Sequence, residues 1–232
     1  MPDPKERLWT AGAYTEEDVP SLLALIRSYY GDIDTTSEAF FRWQYEANPS
    51  GRVILWVARH KETGAVMGQH VLLPMGASVS GRDVQGVLSF NALVEPTYHQ
   101  QGILSGLGDA CNDAARDQGV GLSYGIPNPN SRGPRTKRLG YHDLGDLDLL
   151  VRIVRPSAAA SILPAWARGL GSLGLGLLRP VLFGAARARE NWEVREIQEY
   201  GPEFDTLYGA FRGRYGALIR RDAAHLGWRY QG

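Results

Sequence analysis

The chain has 232 residues, 44 % of them apolar, and a single cysteine, Cys111. That supplies a core and excludes wholesale disorder, an intramolecular disulfide framework and a multi-cysteine zinc site. Its 25 Lys+Arg balance 25 Asp+Glu, which argues against a partner nucleic acid held by a globally basic surface.

The N-terminus, MPDPKERLWTAG, has neither a basic start nor an apolar run, so no secretory signal is expected. No uncharged apolar stretch is long enough to span a bilayer. The expectation is a soluble, cytoplasmic protein. Charge is uneven: residues 1–50 carry nine acids and four bases, whereas 151–190 carry six arginines and one acid.

In chain order, 15–30 reads as a helix with Thr15 as N-cap, an acidic first turn and Gly31 as its stop. A second helix over 36–47 ends at Asn48-Pro49-Ser50-Gly51. Strands are predicted over 52–60, over 65–80 with Pro74 bending or ending it, and over 84–95. A helix over 102–118, a strand over 121–126, a short helix ending at Leu139-Gly140 and a strand over 147–154 follow. This order is α/β with a mixed sheet. Residues 156–190 differ in kind, being apolar and Gly-rich with interspersed arginines. Their plain reading is a helical connector; the alternative is an interfacial helix touching a membrane or a partner. Beyond them, 192–197 reads as a strand and 202–215 as a helix.

Sliding residues 19–45 forward by 185 positions puts Leu22 on Leu207, Arg27 on Arg212, Gly31 on Gly216, Trp43 on Trp228 and Tyr45 on Tyr230. Such self-similarity at a fixed offset reads as a duplicated unit. The domain division that results is 1–155, a connector over 156–191, and 192–232 as the start of a second, incomplete copy.

The most informative stretch is 89–110, SFNALVEPTYHQQGILSGLGDA. A strand ends at Val94-Glu95-Pro96, a short turn follows, and a helix starts at once. A helix start presents backbone N–H groups with no internal partner, and with the helix dipole these form an anion site suited to a pyrophosphate. Gly102 lets a phosphate approach the backbone and Ser105 adds a hydroxyl. The stretch is neither a Walker loop nor a Rossmann fingerprint.

Here the chain resembles the GNAT superfamily of acyl-CoA-dependent N-acyltransferases. Their signature is a strand ending in Val-x-Pro, then Arg/Gln-x-x-Gly-x-Gly/Ala, then a helix. This chain has Val94-Glu95-Pro96 and His99-Gln100-Gln101-Gly102-Ile103-Leu104-Ser105. His99 stands where the family has Arg or Gln, and Leu104 where it has Gly or Ala. The family's Asn after the next strand fits Asn128 or Asn130, and its Gly-Phe/Tyr fits Gly140-Tyr141. The repeated Trp-x-Tyr element is similar to a subgroup with two such domains in tandem.

The resemblance implies a largely antiparallel mixed sheet with helices on both faces. Two splayed parallel strands, 84–95 and 121–126, would form the acyl-CoA cleft. It implies acetyl-CoA or another acyl-CoA as co-substrate. Pantetheine would pair near Leu93 and Val94, and the phosphates would lie on His99 to Ser105, with Asn130 in the donor set. An amine would attack the thioester directly.

The family's strand glutamate and its tyrosine, here Thr136, are both missing. Tyr124 and Asn91 are therefore the catalytic candidates. His70 and Glu95 read as a satisfied strand histidine and a solvated strand end. Trp43, Tyr45 and Trp56 are candidate walls of an acceptor pocket, and Cys111 is core. The expected partner is a small-molecule or amino-bearing acceptor. The competing reading is a degenerate module that binds acyl-CoA or a partner without turnover.

Overall fold

The computed structural model describes residues 7–147, 193 and 195–231. The chain divides into two compact units, 1–143 with 198–232, and 144–197. Of the second, residues 144–147, 193 and 195–197 are described; they form no helix or strand, and Arg195 pairs with Glu193 at 2.7 Å. The strand expected over 192–197 is therefore absent from its described residues. The expectations for 148–154 and for the connector lie outside the described residues.

The first unit opens with β1 (Trp9–Ala13), an element that no pattern in the sequence predicts. A single 3-10 turn at Glu16–Asp18 leads into α1 (Val19–Tyr30). Thr15 and Asp18 lock this entry, since the Thr15 backbone N–H and hydroxyl donate to Asp18 Oδ2 at 2.7 and 3.0 Å. Gly31 ends α1 at φ +80°, a conformation that favours glycine. α2 (Glu38–Tyr45) starts where Ser37 Oγ accepts from the Phe40 N–H.

β2 (Ile54–His60), β3 (Val66–Val79) and β4 (Arg82–Val94) form an antiparallel meander. α3 (Ile103–Asp117), β5 (Leu122–Tyr124) and α4 (Pro129–Arg138) follow. The sheet order is β1-β2-β3-β4-β5, antiparallel except for the parallel β4–β5 pair.

Pro74 does not end β3; the β3–β4 register runs through it, pairing Pro74 with Val87. The β2 ladder stops at Leu72 and β6 (Ala217–Ile219) starts pairing only at Ala77. Pro74 thus lies between two neighbours, where its missing N–H breaks no ladder.

Helices cover both faces. On one, Leu22, Ile26, Phe41 and Tyr45 pack on Leu55, Val57, Val71 and Leu93. On the other, α3 presses Ile103, Leu107, Cys111 and Ala115 onto Met67, Leu72 and Val87. Trp9 of β1 closes that layer against Gly106, where a Cβ would overlap the indole.

The C-terminal part consists of α5 (Pro202–Arg212), β6 and α6 (Ala223–Gln231). β6 pairs with β3, and α6 packs on α2 through a reciprocal contact. Trp43 Nε1 donates to Trp228 O at 2.8 Å, Trp228 Nε1 donates to Trp43 O at 3.0 Å, and the two rings stack 5.1 Å apart.

Candidate active site

β4 and β5 pair from Gly86–Leu122 to Leu88–Tyr124 and no further. Beyond that point the strands separate, leaving one edge of β4 open from Ser89 to Val94. The β3–β4 register slips within the same stretch: Gln69 pairs with Leu93 and Val71 with Phe90, so two residues, Asn91 and Ala92, oppose His70. This is a β-bulge. Asn91 carries it at φ +44°, and the Gln69 side-chain amide donates to Asn91 O at 3.2 Å.

The turn after β4 is the stretch where the sequence predicts an anion site. Glu95 N–H continues the ladder to Met67 O, and a 3-10 turn spans Pro96–Tyr98. Gln100 and Gly102 are both left-handed, at φ +67° and +74°. Gly102 is the N-cap of α3, and the first intrahelical bond goes from Gly106 N–H to Gly102 O. The N–H groups of Ile103, Leu104 and Ser105 precede that bond and have no helical acceptor. No acid stands in the first turn, and a Cβ on Gly102 would meet nothing within 4 Å. Unpaired donors, the helix dipole and open space together fit a phosphate group.

The side chains of this turn behave less uniformly than its backbone. His99 Nε2 lies 2.9 Å from Val94 O, which also accepts from Tyr29 hydroxyl at 2.5 Å. The imidazole thus caps the end of β4. Ile103 and Ser105 are buried into the α3 layer, so their contribution to the turn is their backbone. Gln101 O accepts from the Trp9 indole at 3.3 Å, which ties the turn to β1. Asn128 caps α4 by accepting from the Ser131 N–H at 3.0 Å, while Asn130 lies in the first turn of α4. Tyr141 hydroxyl meets Ser123 Oγ at 2.6 Å and fastens the Gly-Tyr corner to β5.

On the α1–α2 face, Asn91 Nδ2 donates to Tyr45 hydroxyl at 3.1 Å, and Tyr30 hydroxyl donates to Asn91 Oδ1 at 3.4 Å. Tyr45 also meets Phe90 edge-on at 6.0 Å. Tyr124 packs against the same core from β5. Burial raises the Tyr124 pKa, so its hydroxyl keeps its proton at neutral pH and is competent as a donor. Burial raises that of Tyr45 further. Asn91 and Tyr124 thus share a face and border the cleft; no hydrogen bond joins them.

Of the three aromatic wall candidates, Tyr45 alone meets the bulge, buried in the core and bonded to Asn91. Trp43 is engaged by Trp228, and Trp56 packs with the α3 layer on the opposite face. Thr136 turns back onto its own helix, donating to Arg132 O at 3.0 Å. From the position before it, Arg135 enters the sheet and donates to Ser89 Oγ at 2.5 Å. Neither Arg135 nor the tyrosines of α1 carry a sequence signal that singles them out. The depression between α1 and α2, about 340 Å³ and lined by Glu16, Leu23, Arg27 and Arg42 among others, shares no residue with this cleft.

Comparison with known proteins agrees with the geometry. Among solved structures, the chain is similar to an acetyltransferase from Trypanosoma brucei, with 19 % identity and a TM-score of 0.50 over 62 % of this chain and 99 % of that one. Aminoglycoside N-acetyltransferase AAC(6')-Iy in complex with CoA matches with 15 % identity and a TM-score of 0.52, over 65 % and 98 % of the two chains. A predicted acetyltransferase from Clostridium acetobutylicum, solved with acetyl-CoA, matches with 17 % identity and a TM-score of 0.51, over 62 % and 96 %. No curated protein matches the chain. The family model described as an acetyltransferase (GNAT) domain matches residues 11–143. That match covers more than half of the chain and runs from within β1 to just past α4, so the chain belongs to the GNAT acetyltransferase family.

Proposed function

We propose that the chain is an N-acyltransferase that moves an acyl group, with acetyl as the reference donor, from acyl-CoA to the amine of a small molecule. The observation that carries this reading is the opened turn at α3: left-handed Gln100 and Gly102 lead into unpaired N–H groups, beside a bulged strand whose edge is free.

The co-substrate, when bound, supplies an activated thioester; the amine nitrogen forms the new C–N bond, the C–S bond breaks and the sulfur takes a proton. The chain's residues orient and polarise. The N–H groups at Ile103 to Ser105 hold the phosphates, with His99 to Gly102 shaping the turn, and the free edge near Leu93 and Val94 pairs with the pantetheine arm. Asn91, fixed between Tyr30 and Tyr45, sets the bulge backbone where the thioester oxygen would be polarised. Tyr124 holds a proton for the leaving sulfur. The acceptor enters from the tyrosine-lined α1–α2 face, consistent with the aminoglycoside acted on by one of the similar enzymes.

Thermal unfolding with and without acetyl-CoA tests the donor site. A ligand that binds only the folded chain stabilises it by about 2.7 kcal/mol at a hundred times its Kd, so a clear upward shift is expected. No shift at millimolar ligand overturns the reading. The second reading, a binding module without turnover, draws on Thr136 bonding its own helix where the family has tyrosine. Thiol release from acetyl-CoA over an amine panel separates the two, and Tyr124→Phe is expected to slow release about tenfold to a hundredfold while leaving donor binding intact.

We also infer that 198–231 derives from a duplicated α1–α2 unit. The reciprocal Trp43–Trp228 bonds join residues 185 apart, the offset of the internal similarity, and α6 spans the counterpart of α2. Truncating either tryptophan to alanine should cost about 2 kcal/mol, less than a full core tryptophan because both rings are only half-buried. In a double-mutant cycle by urea unfolding, the pair should couple by about 1 kcal/mol or more. Strict additivity would show that the two residues do not act as a pair.

A further inference from the structure

Arg135 is 6 % exposed, and the partners it meets among the described residues are neutral. Nη1 donates to Ser89 Oγ at 2.5 Å, and the guanidinium lies over the Tyr141 ring, 5.6 Å from its centroid. No carboxylate among the described residues pairs with it. Burial lowers its pKa from the ordinary arginine range, the sign of a cation held away from water. A buried guanidinium is ordinarily paired, because an uncompensated charge is costly.

Its location says what would pair with it. The last β4–β5 register is Leu88–Tyr124, so Ser89 and Gly125 flank the point where the strands part. A Cβ on Gly125 would stand 3.0 Å from Ser89 O and 3.2 Å from Arg135 Nη1. The guanidinium therefore sits at the floor of the cleft. The bulge residue Asn91, beside which the thioester lies in the reading above, is two residues nearer the mouth, about 6.6 Å along the strand. An acetyl group does not span that distance; a longer acyl chain directed at the floor does. An acceptor would approach from the α1–α2 face, whereas Ser89 and Arg135 belong to the α3 face that Val87 shares. The anion at the floor is therefore carried by the donor.

We propose that Arg135 makes this site selective for an acyl-CoA whose acyl chain ends in a carboxylate, such as succinyl- or glutaryl-CoA. The proposal rests on the donor site placed at the α3 turn. Arg135 supplies the fork of N–H donors that a carboxylate matches, and Ser89 holds the fork in register. The bond changes are those of the reaction already given; the terminal carboxylate stays intact and travels with the acyl group.

The test is calorimetric titration of the chain with free CoA, acetyl-CoA, butyryl-CoA and succinyl-CoA. Butyryl-CoA has the chain length of succinyl-CoA without its charge. Succinyl-CoA should bind about tenfold to a hundredfold more tightly than butyryl-CoA, the range of a charge-assisted hydrogen bond. Arg135→Gln should erase that preference while retaining acetyl-CoA binding. Arg135→Lys keeps the charge without the fork; it should retain part of the preference and serves if the Gln variant does not fold. Equal or weaker binding of succinyl-CoA by the wild-type chain overturns the proposal, as does a preference that survives in Arg135→Gln. If acetyl-CoA binds and succinyl-CoA has no advantage, this inference alone fails. If no CoA compound binds, the donor-site reading fails and takes this one with it.

Discussion

Gly102→Trp should remove acetyl-CoA binding from a chain that still folds, with Kd raised at least a hundredfold, about 2.7 kcal/mol. Gly102 caps α3 at φ +74° with no atom within 4 Å of where a side chain would begin. An indole there fills the space a phosphate would take and stands over the N–H groups of Ile103, Leu104 and Ser105. The left-handed backbone adds about 1 kcal/mol of strain for a residue with a Cβ, well short of unfolding a domain. Gly102→Asn separates the two effects: asparagine tolerates this conformation and is small, so it should keep most of the binding. Thermal shift with and without acetyl-CoA reads all three proteins. If the tryptophan variant shifts like the wild type, the phosphates do not lie on this turn.

This turn was legible in the sequence because the geometry that defines it resides in the backbone. A strand end, a proline, a glycine and a helix start suffice to expose three N–H groups, whichever side chains surround them. The helices were legible for a similar reason: Thr15, Ser37, Gly31 and Gly102 mark their ends by capping chemistry, which acts locally. β1 and β6 were not legible. WTAGA has no alternation and ALI is only three residues; both become strands because β2 and β3 offer open edges to pair with. Pro74 misled for the mirror-image reason, since a propensity rule gave way to a gap between two neighbouring ladders.

The cleft's side chains depended on information that no local pattern holds. Val53 to Ala58 are apolar on both alternating faces, so nothing in β2 told which side Trp56 would take. The bulge at Asn91 arises from a register slip against Gln69 and Val71, a tertiary event. Arg135 carries no local signal, since the family's tyrosine position falls on the neighbouring Thr136; one step along the helix changes the face presented by about 100°. The consequence is a polar chain across the sheet, Arg135 to Ser89 to His70, that the sequence gives no reason to assemble.

That chain should make the fold acid-labile well above the carboxylate range. His70 is 2 % exposed, and its Nε2 meets Ser89 Oγ at 2.9 Å while Nδ1 has no partner among the described residues. Burial, reinforced by repulsion from the Arg135 guanidinium, pulls its pKa down to about 3. Protonation would place a second cation beside that guanidinium and leave a buried N–H donor without an acceptor. The unfolded chain takes up this proton near pH 6.5, its ordinary value, whereas the folded chain resists until about 3. Between those values the unfolded state holds the extra proton, so stability falls as pH falls, by up to about 1.4 kcal/mol per pH unit. At pH 4 the accumulated loss is about 3 kcal/mol, a large share of a typical domain's margin. Urea unfolding of wild type and His70→Gln from pH 7 to pH 4.5 reads it, because glutamine does not titrate and can still bond Ser89. His225, also lowered chiefly by burial, contributes to both proteins and cancels in the comparison. The wild-type curve should fall more steeply by about one proton. Equal slopes would mean that His70 takes up its proton in the folded state, with the Arg135–Ser89 link open to water.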